Sequence, residues 1–115
     1  LEIMLREPER VQALQEKTAY SLDRFRKLGF EIGNTSTPII PLYIRDNEKT
    51  FRITALLYEE GVFVNPVVAP AVAPEDTLIR FSLMATHTYE QIDRAINAIE
   101  RIFKAQGIVL HPIAG

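Results

Sequence analysis

The feature that most constrains the fold is a run of fourteen residues without a charge, from Gly61 to Pro74. Prolines recur in this run at intervals of four, at positions 66, 70 and 74. Because proline fixes its own φ angle and restricts the preceding residue, the segment is predicted to be an extended and fairly rigid loop. Its other residues are mainly valine and alanine, whereas flexible linkers are usually polar. We therefore expect a loop that packs against another part of the molecule, and a low-complexity linker is the alternative.

A strand is predicted directly after this loop, because residues 77–83 alternate in the way that side chains alternate across a sheet. One face would carry Ile79, Phe81 and Leu83, and the other Leu78, Arg80 and Ser82. Arg80 is the single charged residue of the run. Its guanidinium is permanently charged, and its planar fork matches a carboxylate or phosphate with two hydrogen bonds. Arg80 is therefore the candidate binding residue, and a salt bridge to a surface carboxylate is the alternative explanation.

Three helices are predicted, over residues 8–29, 47–61 and 88–107, each closed by a glycine. Asp46 and Asn47 are each able to cap the second helix, and the third opens with the Thr-x-x-Gln pattern of a capping box. The apolar or small residues that share a face are Val11, Leu14, Thr18, Leu22, Phe25 and Leu28 on the first helix, Phe51, Thr54, Ala55 and Tyr58 on the second, with Leu57 beside them, and Ile92, Ala95, Ile96, Ile99, Ile102 and Phe103 on the third.

Two further strands complete the prediction. Residues 38–44 are rich in β-branched and aromatic side chains, but Pro38 and Pro41 cannot donate to a ladder, so this strand is expected at an edge or entering obliquely. A short strand is predicted at Val62–Val64. The elements predict an α+β fold, a two-layer α/β sandwich with a small, mainly antiparallel sheet and helices on one face. Arg80 would then stand on the other, open face.

Composition excludes several kinds of chemistry. The net charge of −2 gives no electrostatic reason to expect nucleic acid or an anionic membrane as a partner. The absence of cysteine removes disulfides, thiolate metal sites and cysteine nucleophiles, and it fits a cytoplasmic protein. No apolar run approaches the roughly 18 residues of a transmembrane segment. His87, just before a helix start, is expected to be structural, and two isolated histidines predict no metal site.

Residues 61–96, GVFVNPVVAPAVAPEDTLIRFSLMATHTYEQIDRAI, resemble the C-terminal domain of the α-oxoamine synthases. STPIIPLYI at 36–44 is similar to the strand that opens that domain, and residues 7–33 to the helix that leads into it. The resemblance implies the type I aminotransferase fold, with residues 1–115 as a single small domain of a longer enzyme and residues 1–7 as the end of a linking helix. The alternative is a complete small protein with a trimmed start.

The resemblance also implies the activity, a decarboxylative condensation of an amino acid with an acyl-CoA that depends on pyridoxal 5′-phosphate (PLP). The pattern is most similar to bacterial serine palmitoyltransferases, enzymes of sphingolipid biosynthesis. It is next most similar to 8-amino-7-oxononanoate synthase and glycine C-acetyltransferase. The implied partners are the large domain of the same chain and a second copy in a homodimer. A free-standing interaction module and a regulatory ligand-binding domain are the alternatives from other classes.

The resemblance assigns roles to individual residues. Arg80 is implied to bind the carboxylate of the amino acid substrate. The loop residues implied to lie near the acyl-CoA are Pro66, Val68, Pro70, Ala71 and Val72. Some sphingolipid-making relatives carry a second arginine near the position of Val68, which is uncharged here. The lysine, histidine and aspartate that hold PLP belong to the large domain, so we expect no catalytic or cofactor-binding residue in this chain and no activity from it alone.

Overall fold

The structure is a computed structural model that describes residues 8–33, 37–83 and 87–110. Its helices are α1 (Pro8–Leu28), α2 (Asn47–Glu59) and α3 (Tyr89–Ala105), and its strands are β1 (Ile39–Tyr43), β2 (Asn65–Val67) and β3 (Leu78–Ser82). A short 3₁₀ turn, Pro74–Asp76, precedes β3. The linking helix expected at residues 1–7 lies outside the described residues.

The strands form one antiparallel sheet in the order β1-β3-β2, so β3 is the central strand. β1 pairs with β3 from Ile39 opposite Ser82 to Tyr43 opposite Leu78. β1 is therefore an edge strand, as its prolines predicted, because the missing N–H of Pro41 is tolerated where one side of the strand is unpaired in the sheet.

The strand predicted at Val62–Val64 is wrong, since β2 begins at Asn65. The reason is the way in which α2 ends. Gly61 has a φ of +82°, and the N–H of Val62 donates to the carbonyl of Leu57 at 2.9 Å in a Schellman motif. The backbone of Val62 thus belongs to the helix end, and strand pairing starts only after the chain has turned.

The helices cover one face of the sheet and share a single core with it. β1 contributes Ile40 and Leu42, β3 contributes Ile79 and Phe81, and all four side chains are buried. The stripe predicted on α3 is buried except for Ala95, which is half-buried. The predicted fold class is confirmed. None of the described helices is both long and apolar enough to cross a bilayer.

Helix α2 presents its predicted shared face to solvent. Phe51 and Tyr58 on that face are 51% and 67% exposed, whereas the residues that pack inward are Thr50, Ile53 and Leu57. Tyr58 instead packs edge-on against Phe63, with ring centroids 5.1 Å apart. The helical period was therefore correct, but the side of α2 that faces the core follows from the sheet beneath it.

Candidate functional site

Arg80 lies in the middle of the central strand on the face that carries no helix. Its neighbours Ile79 and Phe81 are 0% and 5% exposed, whereas Arg80 itself is exposed. The alternation predicted for this strand is confirmed. Because β3 is flanked by a strand on each side, the Arg80 side chain rises from the centre of the open sheet face.

The guanidinium of Arg80 makes no hydrogen bond or ion pair with any residue in the described ranges. Three other arginines, at positions 24, 45 and 101, are each held by a carboxylate. The surface salt bridge that the sequence left open as an explanation of Arg80 is therefore absent from the described part of the chain. Arg94 of α3 likewise makes no such contact within those ranges, but it lies on the helical side of the molecule.

Two residues flank Arg80 across the sheet. Pro41 of β1 and Asn65 of β2 are its register partners. In an antiparallel sheet, side chains directly opposite each other share a face and have Cβ atoms about 4.5–5.5 Å apart. Pro41 offers no polar side-chain atom, whereas Asn65 offers an amide with two donors and an acceptor. The Asn65 side chain is exposed and makes no hydrogen bond with the residues that the structure describes.

Sequence reasoning missed Asn65 because it placed the preceding strand at Val62–Val64. With the strand there, residue 65 lies outside the sheet and no register connects it to Arg80. An antiparallel hairpin between the two strands could have predicted it. If Val67 pairs with Leu78, then the residue two positions earlier, Asn65, pairs with the residue two positions later, Arg80. Amide and guanidinium together form a polar pair on an otherwise mainly apolar sheet face.

The segment that we call the proline loop, residues 68–77, joins β2 to β3 as the connection of a hairpin. It leaves the sheet two residues from Arg80, which is about 7 Å along the strand. The sequence predicted an extended loop, and this prediction is wrong for part of the loop. The N–H of Ala71 donates to the carbonyl of Val68 at 3.1 Å in a tight turn, and the 3₁₀ turn follows.

The structure distributes the five predicted loop residues over two environments. Pro66 lies in β2 rather than in the proline loop, and it is exposed. Val68 and Val72 are half-buried, whereas Pro70 and Ala71 at the tip are exposed. The loop therefore packs partly against the domain and presents a small apolar tip to its surroundings.

A cavity of about 490 Å³ lies at the other end of β3, between the turn that follows α2 and the start of α3. Ser82 and the half-buried His87 are among the residues that line it. The capping box predicted for α3 is confirmed, because Thr88 and Gln91 exchange both hydrogen bonds. Within the described ranges, no three histidine, aspartate or glutamate side chains cluster in a way that could hold a metal ion.

The charged groups with shifted pKa values serve packing between elements. Asp93 of α3 accepts hydrogen bonds from the hydroxyl of Tyr20 and from the guanidinium of Arg24, both on α1, and these lower the pKa of its carboxyl. The pKa of the Glu31 carboxyl is lowered in the same way by hydrogen bonds from Arg45. Neither group contacts Arg80, so both pairs belong to the scaffold.

Comparison with known proteins identifies the family. Residues 2–99 match the family model for aminotransferase class I and II. The chain belongs to this family. It is 61% identical over 105 residues to a serine palmitoyltransferase from Bacteroides ovatus, an alignment that covers 91% of this chain and 27% of the relative. It is 42% identical over 109 residues to an 8-amino-7-oxononanoate synthase from Bacillus pumilus, which covers 95% of this chain and 28% of the relative.

The fold comparison agrees with the sequence comparison. A serine palmitoyltransferase variant from S. paucimobilis, solved with a bound PLP–myriocin aldimine, matches with a TM-score of 0.79 at 24% identity. The match covers 88% of this chain and 26% of that structure. The predicted family and the predicted aminotransferase fold are confirmed. The chain spans about a quarter of the length of the curated relatives that it matches.

Proposed function

We propose that this chain is the small domain of a PLP-dependent acyltransferase that condenses an amino acid with an acyl-CoA and releases carbon dioxide, with serine palmitoyltransferase as the specific activity. The observation that carries the proposal is Arg80, an exposed arginine without a described partner at the centre of the open sheet face. The 61% identity to a serine palmitoyltransferase supports this activity over a free-standing interaction module.

In this proposal Arg80 binds the carboxylate of the amino acid substrate. Its fork donates two parallel hydrogen bonds, which determine the orientation of the carboxylate as well as holding it. An exposed ion pair in water is worth only about 0–1 kcal/mol, so the open face must be covered for this contact to be strong. The large domain of the full-length enzyme supplies the cover, and the weaker dielectric screening there strengthens the pair.

Asn65 extends the same site. Opposite Arg80 on the open face, its amide is within reach of a ligand that the guanidinium holds. Its Nδ2 donates to a carboxylate oxygen that Arg80 leaves unpaired, or its Oδ1 accepts from the hydroxyl of serine. The tip of the proline loop, with Pro70 and Ala71 exposed, contacts the acyl-CoA through small apolar surfaces.

We expect the large domain of the full-length enzyme to hold PLP, as the family resemblance implies. The resemblance implies that the lysine that bonds the cofactor also belongs to the large domain, and neither lysine nor aspartate occurs in β1, β2 or β3. PLP, when bound, acts as an electron sink for the carbanion at the α-carbon of the amino acid. The contribution of this chain is therefore binding and orientation. We further propose that the full-length enzyme is a cytoplasmic homodimer.

A second candidate activity is that of 8-amino-7-oxononanoate synthase, which the 42% identity to that enzyme favours. The experiment that separates the two is a substrate profile of the full-length enzyme. Absorbance spectra with serine, glycine and alanine identify the amino acid that the cofactor site accepts, and turnover with acyl-CoA of increasing chain length identifies the acyl donor. Preference for serine and a long-chain acyl-CoA supports the first proposal, and preference for alanine contradicts it.

A further inference from the structure

The proline loop is held to the domain unequally at its two ends. At its C-terminal end Thr77 is fully buried, and its carbonyl accepts hydrogen bonds from the N–H groups of Ile44 and Arg45, both at 3.0 Å. The hydroxyls of Thr77 and Thr50 are 3.0 Å apart in the interior. This end of the loop is therefore attached to the β1–α2 junction by backbone and side chain together.

The Arg45 side chain adds further bonds at the same end. Its guanidinium donates to the carbonyl of Glu75 at 3.1 Å and lies 3.4 Å from the carboxylate of Asp76. Glu31 holds the other side of the guanidinium. Arg45 has a φ of +63°, a left-handed conformation that is uncommon for residues other than glycine. Several bonds must therefore break before this end of the loop moves.

Among the described residues, one side-chain hydrogen bond joins the N-terminal end of the proline loop to a helix. The N–H of Ala69 donates to Oδ1 of Asn47, at the first position of α2, over 3.2 Å. The sequence suggested Asn47 as a helix cap, but Asp46 has that role, because its carboxylate accepts from the N–H of Lys49 at 2.9 Å. The Asn47 side chain is therefore available to hold the loop, and α2 is capped without it.

We infer that Asn47 is a positioning residue for the substrate site: it holds the start of the proline loop in place beside the Arg80 strand. Val68 and Pro70 flank Ala69, so release of Ala69 moves the apolar loop residues together while Thr77 stays in place. A loop that is already ordered loses less conformational freedom when a ligand binds. The role in acyl-CoA binding rests on the proposed function, whereas the role in holding the loop does not.

The test compares Asn47→Ala with Asn47→Asp in the full-length enzyme. Alanine removes the acceptor, whereas aspartate keeps an oxygen for the N–H of Ala69. Since a hydrogen bond of this kind changes an equilibrium about two- to tenfold, we expect Asn47→Ala to raise the KM for acyl-CoA by that factor. We expect kcat and the KM for the amino acid to stay within about twofold, and Asn47→Asp to restore the KM for acyl-CoA. Glu48→Ala, an exposed change in the same helical turn, is the matched control.

Hydrogen exchange provides a readout that does not need activity. In the enzyme without substrates, the amides of Ala69 and Ala71 should exchange about two- to tenfold faster in Asn47→Ala than in the parent, with recovery in Asn47→Asp. Unchanged exchange overturns the inference, and so does faster exchange with an unchanged or lower KM for acyl-CoA. If the parent enzyme condenses no amino acid with any acyl-CoA, the proposed function fails, and the exchange rates alone then decide whether Asn47 holds the loop.

Discussion

Replacing Arg80 with alanine should weaken amino acid binding without unfolding the enzyme. The side chain is exposed and makes no hydrogen bond or ion pair with the described residues, so the fold does not depend on it. Surface substitutions of this kind change the free energy of unfolding by less than about 0.5 kcal/mol. The thermal unfolding midpoint and the bound PLP content should therefore match those of the parent enzyme.

The expected loss of binding follows from the hydrogen bonds that the guanidinium donates. A hydrogen bond to a charged group contributes about 1.5–3 kcal/mol, which corresponds to roughly a 10- to 150-fold change in dissociation constant. We apply this range to both hydrogen bonds of the guanidinium together, because Arg80 gives up hydrogen bonds to water when the carboxylate binds. Arg80→Lys keeps the charge but loses the planar fork, so its dissociation constant should lie between those of the parent and of Arg80→Ala.

The assay is an absorbance titration of the full-length enzyme with serine, glycine and alanine, which reports binding separately from turnover. Ser82→Ala is the control, because Ser82 lies on the same exposed face of the same strand, two residues from Arg80. Its dissociation constants should equal those of the parent. If Arg80→Ala binds all three amino acids as tightly as the parent does, the assignment of Arg80 is wrong and the open sheet face serves another purpose.

Three further predictions concern Asn65, the buried core of α3 and the ion pair of Asp93. Asn65→Ala should weaken amino acid binding about two- to tenfold, and Asn65→Asp should weaken it further because the new carboxylate repels that of the substrate. If both variants bind the amino acid as tightly as the parent does in the same titration, Asn65 is excluded from the site. Ile99→Ala removes a fully buried side chain of α3 and should lower the free energy of unfolding, measured by urea denaturation, by about 2–5 kcal/mol. A loss of less than about 1 kcal/mol would contradict the place of Ile99 in the core. Tyr20 and Arg24 lower the pKa of the Asp93 carboxyl. The stabilising contribution of Asp93 is therefore present above the unfolded-state pKa and is lost as the pH falls through the folded-state pKa. Asp93→Asn should have a lower free energy of unfolding than the parent at pH 7, and this difference should disappear in strong acid.

Local signals in the sequence were sufficient for most elements. Helix α3 was predicted from start to end, because its capping box and apolar stripe depend only on residues three or four apart. The faces of β3 followed from alternation alone, which placed Arg80 opposite the helices before any partner strand was known. The family resemblance likewise rested on contiguous stretches, at 7–33, 36–44 and 61–96, and was confirmed by the matching family model.

The tertiary structure decided which residues accompany Arg80. The start of β2 depends on a helix end that uses the backbone of Val62, and only the resulting register places Asn65 beside the guanidinium. The sequence did not distinguish Asn47 from Asp46 as the helix cap. The structure does, because Asp46 accepts from the N–H of Lys49 whereas Asn47 accepts from the N–H of Ala69 in the proline loop.

The sequence by itself determined that a loop rich in proline and without charge precedes a strand with one arginine, and on which face that arginine stands. Those properties depend on the residue types and on a period of two along one strand. Which residue lies opposite Arg80, and what holds the loop, depend on contacts between segments distant in the chain. A shift of one residue in strand pairing reverses every face, so such contacts follow from the assembled sheet and not from any single stretch.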